Sequence, residues 1–346
     1  MRIAHVVWGM KTGGVETMLV NIINIQVRTE DVGLFIVNDF IDEPLLMKVS
    51  PKCKVVRINR QPASKRVLPL LKLNAKIWQF HPDIIHLHSY QVSRILFGQW
   101  DMVRTIHSPG NITDEYPKMK ALFAISDIVR NDVVEKGFPN VITIHNGIPI
   151  KEITQHRNVK PKDGVYKIVQ VSRLHIEQKG QDILLKALGR LLEMGVSNFE
   201  LHLIGEGPSK DILQNIVKEL GLDAYVHFEG LKTQEYIFQH LCEYDLFVQP
   251  SRYEGFGLTV AEAMVAGLPV LVSDIQGPME VIGHGKYGMT FKAGDDADLA
   301  EKLKTILAGQ YDYTLTEKAY QHVCQEYDVE TTAQCYLQEY RMVINH

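Results

Sequence analysis

The chain has 346 residues, 45% of them hydrophobic and 23% charged, with a formal net charge of -4. That length exceeds one compact core and points to two domains, and nothing in the slightly acidic balance calls for a nucleic-acid partner, which would require a clearly basic domain. Cys53, Cys242, Cys324 and Cys335 show neither C-x-x-C spacing nor histidines at zinc distances, and no run reaches the ~18–20 apolar residues that cross a bilayer.

The N-terminal MRIAHVVWGMKTGG turns polar too early for a secretion signal and reads as a first strand, Ile3–Val7, followed by a glycine turn. With scattered thiols that fit a reducing compartment, a cytoplasmic protein is expected. The turn from Gly9 to Gly14 lacks the Gly-Lys-Ser/Thr ending of a phosphate loop. Apolar runs at 34–37, 84–87, 103–106, 122–125 and 141–144 alternate with helix-length amphipathic segments, the pattern of βαβ units around a parallel sheet buried on both faces. Within this half, no acidic residue falls between Glu43 and Asp83, while Lys48, Lys52, Lys54, Arg57, Arg60, Lys65, Arg66, Lys72 and Lys76 all do. Leu68, Leu70, Leu71, Leu73, Ile77 and Trp78 interleave with them. Two readings stand side by side. One is a helix with a solvated basic face and its leucines in the core. The other is a basic, apolar-edged surface on anionic lipid, at ~1 kcal/mol per well-placed cation. His86 and His88 share one strand face, and hydrogen bonding at the strand end is favoured over a metal pair because no third ligand is evident. His107 ends the strand Val103–Ile106.

The alternation pauses after Asn146-Gly147-Ile148-Pro149 and restarts with runs at 167–171, 201–204, 226–228, 246–248 and 270–272. The domains are accordingly placed at 1–160, on the acceptor side, and 161–325, on the nucleotide side. A tail at 326–346 follows, whose helix (Ala333, Tyr336, Leu337, Tyr340 and Val343 apolar) is expected to return to the first domain. The fold class is α/β: two Rossmann-like parallel-sheet domains facing across a cleft, with ligands beyond the carboxyl ends of the strands.

The segment Asp245–Asp274 concentrates the chemistry. A buried strand leads into a loop, Pro250 to Gly257, and then into a helix from Leu258 to Ala266 that Gly267 and Pro269 terminate. The start of that helix offers N–H groups and a positive dipole end suited to phosphate. Glu254 before it and Glu262 inside it can each accept paired hydroxyl hydrogen bonds. Upstream, Arg173 and Lys179 follow a strand end and can neutralise a diphosphate. Gly205-Glu206-Gly207 lacks the third glycine of a dinucleotide fingerprint, and Asp296-Ala297-Asp298 reads as a helix cap rather than a metal motif.

Taken together, S-R-L-x(4)-K-G at 172–180, I-G-E-G-P at 204–208 and E-G-F-G-L-x-x-x-E-A-M at 254–264 resemble family 4 glycosyltransferases, retaining enzymes of the two-domain GT-B fold; Gly13-Gly14-Val15-Glu16 and Asn146-Gly147-Ile148 also look like that family's. The resemblance spans nearly the whole chain. It implies that Arg173 and Lys179 bind the donor diphosphate, Glu254 the hydroxyls of the transferred sugar, and Glu262 the ribose. The backbone of Gly255, Phe256, Gly257, Leu258 and Thr259 would cradle sugar and phosphate. Gly13 and Gly14 would lie against the phosphate and the acceptor side. His107 would stand close to the donor sugar, and Glu16, His88 and Asn146 would serve the acceptor side. Retention is expected on the front face, the leaving phosphate helping to deprotonate the acceptor, with no protein nucleophile and no cofactor or metal. Gly205 and Glu206, with Leu231 and Lys232 in the loop where backbone groups would read the base, complete the donor set; a UDP-sugar is favoured. The acceptor is expected to be a saccharide or lipid-linked hydroxyl in cell-surface polysaccharide assembly, on the inner face of the cytoplasmic membrane. Competing readings are a sugar-nucleotide epimerase of the same fold, a phosphorylase, for which no cofactor lysine site is found, and a non-catalytic nucleotide-sugar-binding protein.

Overall fold

The structure, a computed structural model, describes residues 1–11, 13–110, 114–155 and 164–345. The apolar runs become strands of two separate all-parallel sheets. The first sheet holds β1 (Arg2–Val7), β2 (Asp31–Asn38), β3 (Lys54–Arg60), β4 (Ile84–Leu87), β5 (Met102–Ile106), β6 (Ala121–Ala124) and β7 (Val141–Thr143), in the order β3-β2-β1-β4-β5-β6-β7. The second holds β8 (Tyr166–Val171), β9 (Phe199–Ile204), β10 (Val226–Gly230), β11 (Leu246–Gln249), β12 (Val270–Ser273) and β13 (Met289–Phe291), in the order β10-β9-β8-β11-β12-β13. Each sheet is doubly wound. Strand order reverses between β1 and β4 in the first and between β8 and β11 in the second, and such reversals open a crevice at the carboxyl ends.

Burial on both faces explains why the strands read as mainly apolar runs, with single polar residues such as His5, His86 and Gln170 buried among them. On β1, Ile3 and Val7 face a cluster completed by the helix Gly14–Gln26, whereas Ala4 and Val6 face Leu73, Ile77 and Phe80 of the helix Leu68–Phe80. Two strands lie outside the apolar runs. β3 falls inside the basic stretch, as an edge strand whose charged residues alternate with buried Val56 and Ile58. β13 has only three residues.

Two compact units divide the chain at residues 1–148 with 328–346, and at 149–327. The first crossing lies at Ile148–Pro149. Ile148 bridges Asp328, and its carbonyl accepts the Val329 N–H at 3.1 Å, while Thr154 N–H already donates to the Phe238 carbonyl of the second unit at 2.8 Å. The second crossing lies at Tyr327–Asp328, where Asp328 caps the helix Val329–Ile344. That helix belongs to the first unit: Val329, Ala333, Tyr336, Leu337 and Tyr340 are buried with β1, β2 and the helix Gly14–Gln26. Tyr340 and Tyr336 hydroxyls reach His86 Nδ1 at 2.5 Å and Thr105 Oγ1 at 3.0 Å. Among the described residues, no helix is long and apolar enough to cross a membrane.

Because Leu337 is fully enclosed by the first unit's core, Leu337→Ala should destabilise that unit by about 2–5 kcal/mol. Hydrogen exchange monitored by mass spectrometry should then accelerate in β1, β2 and β4 and stay unchanged in β8, β9 and β11.

Candidate functional site

In the second unit, both loops at the strand-order reversal come from the sequence motifs. β8 ends in Ser172–Gly180 and β11 in Pro250–Gly257. Their backbones touch. Gly180 sits at φ 63°, and a Cβ there would overlap the Pro250 carbonyl oxygen; only glycine meets both demands. Arg252 N–H donates to the Gln178 carbonyl at 2.8 Å, and the Arg252 guanidinium forks onto Asp182 with two bonds of 2.8 Å. Lys179 Nζ thereby meets Glu254 Oε2 in an ion pair between the loops, with both side chains mostly shielded from water.

Three buried amides fix this geometry, and none of them was among the residues the motifs single out. Gln249, the last residue of β11, donates to Glu254 Oε2 at 3.2 Å and accepts from Thr259 Oγ1 at 2.9 Å. Gln181 donates to Ser172 Oγ at 3.0 Å and the Arg173 carbonyl at 2.9 Å, and Gln170 donates to the Lys179 carbonyl at 3.2 Å. The visible signal was a polar side chain ending an otherwise apolar strand, as in LFVQ. With its backbone so held, the Arg173 side chain is exposed and makes no ion pair or hydrogen bond among the described residues. Glu206 and Gly205 are close by: a Cβ at Gly205 (φ 142°) would overlap the Ser172 carbonyl oxygen, and Leu174 N–H donates to the Glu206 carbonyl at 3.1 Å. Across the neighbouring strand end, Gly205 N–H donates to the Gly230 carbonyl at 2.9 Å, with Leu231 exposed and Lys232 over the Tyr236 ring.

The helix Leu258–Val265 opens at Gly257 with no side-chain cap, so its first N–H groups are available to an anion. Phe256 turns inward and packs its ring edge-on against Tyr327 at 5.1 Å, leaving only its backbone to the loop surface. Glu262 is buried, and burial pushes its carboxyl up to about 8; its side chain makes no hydrogen bond among the described residues. The motif Asp296-Ala297-Asp298 is spent at a helix start. Asp295 caps the N–H groups of Ala297 and Asp298, Asp296 pairs with Arg190, and Asp298 accepts from Lys292 N–H at 2.7 Å.

The first unit gathers its own set at the β1–β4 reversal. Gly13 caps the helix Gly14–Gln26, and Glu16 in its first turn is partly buried, which raises its carboxyl above the ordinary range. His5, His86 and His88 form a buried column bonded internally: His5 Nδ1 to His88 Nε2 at 3.1 Å, His5 Nε2 to Gln26 Oε1 at 2.7 Å, and His86 Nε2 to Thr105 Oγ1 at 2.7 Å. Three such nitrogens could reach one ion, yet both of His5 and both of His86 are already engaged, so hydrogen bonding accounts for the column. His107 stacks on His88 at 5.9 Å, and burial pushes its imidazole down to about 4. Both His107 ring nitrogens, His88 Nδ1 and Asn146 Oδ1 are shielded and lack partners among the described residues.

A model of the family described as Glycosyl transferases group 1 matches residues 152–322, nearly the whole second unit. The second unit is a glycosyl transferases group 1 domain. The lipopolysaccharide core biosynthesis glycosyltransferase LpsD of Rhizobium meliloti is 27% identical over 254 residues, covering 71% of each chain. The uncharacterized glycosyltransferase MJ1607 of Methanocaldococcus jannaschii is 34% identical over 139 residues, 40% of this chain and 35% of that one, so the chain spans about a third of that relative's length. In fold, the Anabaena protein Alr3699/HepE, solved in complex with UDP and glucose, aligns with a TM-score of 0.81 at 23% identity over 98% of this chain and 99% of that one. The architecture is GT-B, and the group 1 domain carries Arg173, Lys179, Glu254 and Glu262.

The raised Glu262 carboxyl has a pH signature. Its folded value, about 8, lies above the ordinary 4.5, so its stabilising share is complete below 4.5 and is lost as pH rises through 8. Glu262→Gln, neutral throughout, should match the wild-type melting temperature near pH 4.5 and exceed it at pH 8, by ~2–4 °C for each kcal/mol relieved. Scanning calorimetry across that range, without nucleotide, checks this.

Proposed function

We propose that this protein is a retaining hexosyltransferase: it moves a hexose from a nucleoside diphosphate sugar, with UDP favoured, to a hydroxyl of a saccharide or lipid-linked acceptor. The observation that carries the reading is the Lys179–Glu254 pair where β8 and β11 end, beside an Arg173 with no partner among the described residues and an uncapped helix start. A diphosphate would take Lys179, Arg173 and the helix N–H groups as its counter-charges. Glu254, released from Lys179, would accept sugar hydroxyls, and Glu262 would accept from the ribose. In the transfer, the acceptor oxygen bonds the anomeric carbon as the bond to the diphosphate oxygen breaks, and the acceptor proton leaves with the diphosphate. Positive groups fixed where that negative charge accumulates stabilise the transition state, so no divalent metal or cofactor enters the reaction. Gly13, Gly14 and His107 keep the donor-side roles, and Glu16, His88 and Asn146 the acceptor-side roles, that the family resemblance implies.

Three measurements bear on this. Nucleoside diphosphate release from candidate donors should require an acceptor, whereas isomerised donor without acceptor would indicate an epimerase and donor binding without turnover a binding protein. Lys179→Ala and Arg173→Ala should each lower turnover about 10²–10³-fold with the fold intact. Mg²⁺ or Mn²⁺ added after chelation should leave the rate unchanged.

A lipid-linked acceptor is supported by how the basic stretch folds. Arg57 is taken by Glu43 through two bonds of 2.6 and 2.7 Å, and Arg60 turns toward Asn38 and the Ser64 carbonyl. The helix Leu68–Phe80 buries Leu73, Ile77 and Phe80 but leaves Leu68 75%, Leu71 50% and Trp78 53% exposed, beside exposed Lys65, Arg66, Lys72 and Lys76. An apolar ridge rimmed by lysine is the pattern of an interfacial helix, so peripheral contact with the inner face of the cytoplasmic membrane belongs to the proposal. Liposome sedimentation at low salt should show preference for anionic over neutral vesicles, lost in Leu68→Ser/Leu71→Ser. Equal binding to both would contradict the membrane contact while leaving the donor site untouched.

A further inference from the structure

The second unit holds one more polar cluster, at the far edge of its sheet and apart from the Lys179–Glu254 loops. β10 is the edge strand and pairs in parallel with β9, His227 standing in register with His202. Residues in register point to the same face, and the two-residue repeat of a strand adds Glu200 from β9 and Glu229 from β10. The imidazoles of His202 and His227 stack at 4.8 Å between centroids. Glu229 Oε1 lies 2.8 Å from His202 Nδ1, and Lys232 holds the other Glu229 oxygen at 3.9 Å.

That arrangement sets the ring orientation and tautomer of His202. A carboxylate on Nδ1 fixes the proton there and leaves the Nε2 lone pair pointing away from it. Nε2 is shielded from solvent and has no hydrogen-bond partner among the described residues. Ahead of it, at 3.7 Å, lies Glu200 Oε2. One ligand atom each from Glu200, His202 and His227 falls within 4.8 Å of the other two. A tetrahedral ion with bonds of ~2.0–2.2 Å holds its ligands ~3.3–3.6 Å apart, so small side-chain adjustments close the set.

We propose that Glu200, His202 and His227 form a binding site for a divalent transition metal ion, zinc or a metal of similar ligand preference. Two imidazoles and one carboxylate select such ions over magnesium or calcium, which prefer all-oxygen shells. Three protein ligands leave a fourth position for water. Glu229 is the outer carboxylate that orients His202. The ion would staple the edge strand to β9 immediately before Gly230–Lys232, and so stiffen the start of the loop to which the donor base is assigned above.

The test uses the full-length chain without a histidine tag, stripped with chelator and dialysed, with no nucleotide or acceptor present; its outcome is therefore independent of the transferase reading. Calorimetric titration with ZnCl₂ should show one equivalent bound, and Co²⁺ should give the intense visible bands of four- or five-fold coordination. His202→Ala and His227→Ala should each abolish that equivalent, Glu229→Gln should weaken it about 10–100-fold, and His240→Asn, elsewhere in the same unit, should leave it intact. Loss in Glu229→Gln of a fold verified by circular dichroism would shift the reading to Co²⁺ with the unmodified chain, where a six-coordinate spectrum overturns the site. Absence of a saturable equivalent, or one that survives the His202→Ala/His227→Ala double variant, also overturns it.

Discussion

The Lys179–Glu254 ion pair is the contact on which the second unit's chemistry depends, because it joins loops that share no hydrogen-bonded strand ladder of their own. Each loop leaves the carboxyl end of a central strand, β8 or β11, and the close backbone approach of Gly180 to Pro250 with the Arg252 N–H bond to Gln178 brings the two near enough for the pair to form. The pair is shielded enough that removing one partner strands a charge in poor solvent. A ligand bringing both negative phosphate and sugar hydroxyls offers replacements for both members at once. Neither an anion alone nor a neutral sugar alone does so, which is the physical reason the proposed donor, carrying both in one molecule, suits the pair.

Around that pair, neutral amides do the positioning. Gln170, Gln181 and Gln249 are buried and spend their hydrogen bonds on loop carbonyls, hydroxyls and Glu254. Amides hold geometry without adding charge of their own to the loops. The first unit follows the same economy of charge. His5, His86 and His88 are kept neutral by burial, well below the ordinary imidazole range, and so hold the ends of β1 and β4 together without carrying charge.

Much of this was legible in the sequence. A parallel sheet buried on both faces leaves mainly apolar runs, and eleven of them fall on strands of the two sheets. The helix after Gly257 announced itself through its glycine entry and its Gly267-x-Pro269 exit. β3 was hidden because an edge strand carries lysine and arginine on its solvent side, so Lys54–Arg60 looks like part of a charged stretch. The partnership of Arg252 with Asp182 spans 70 positions and leaves no local trace. Burial, too, is a tertiary property: nothing in the spacing of Glu262 distinguishes a solvated helix carboxylate from one held neutral in the core. The same holds for His202 and His227, which become neighbours only because β10 pairs with β9 in that register.

The return of the helix Val329–Ile344 to the first unit makes the second unit an insertion within the first. Synthesis from the N-terminus therefore cannot finish the first core until the helix Val329–Ile344 has left the ribosome, since Ala333, Tyr336, Leu337 and Tyr340 are part of it. The group 1 domain, complete by Tyr327, has every residue it needs earlier. The half that begins first is completed last. During that interval the apolar face of β1 and β2 awaits its final helix, and the nascent chain is most open there to chaperone capture or to wrong pairing.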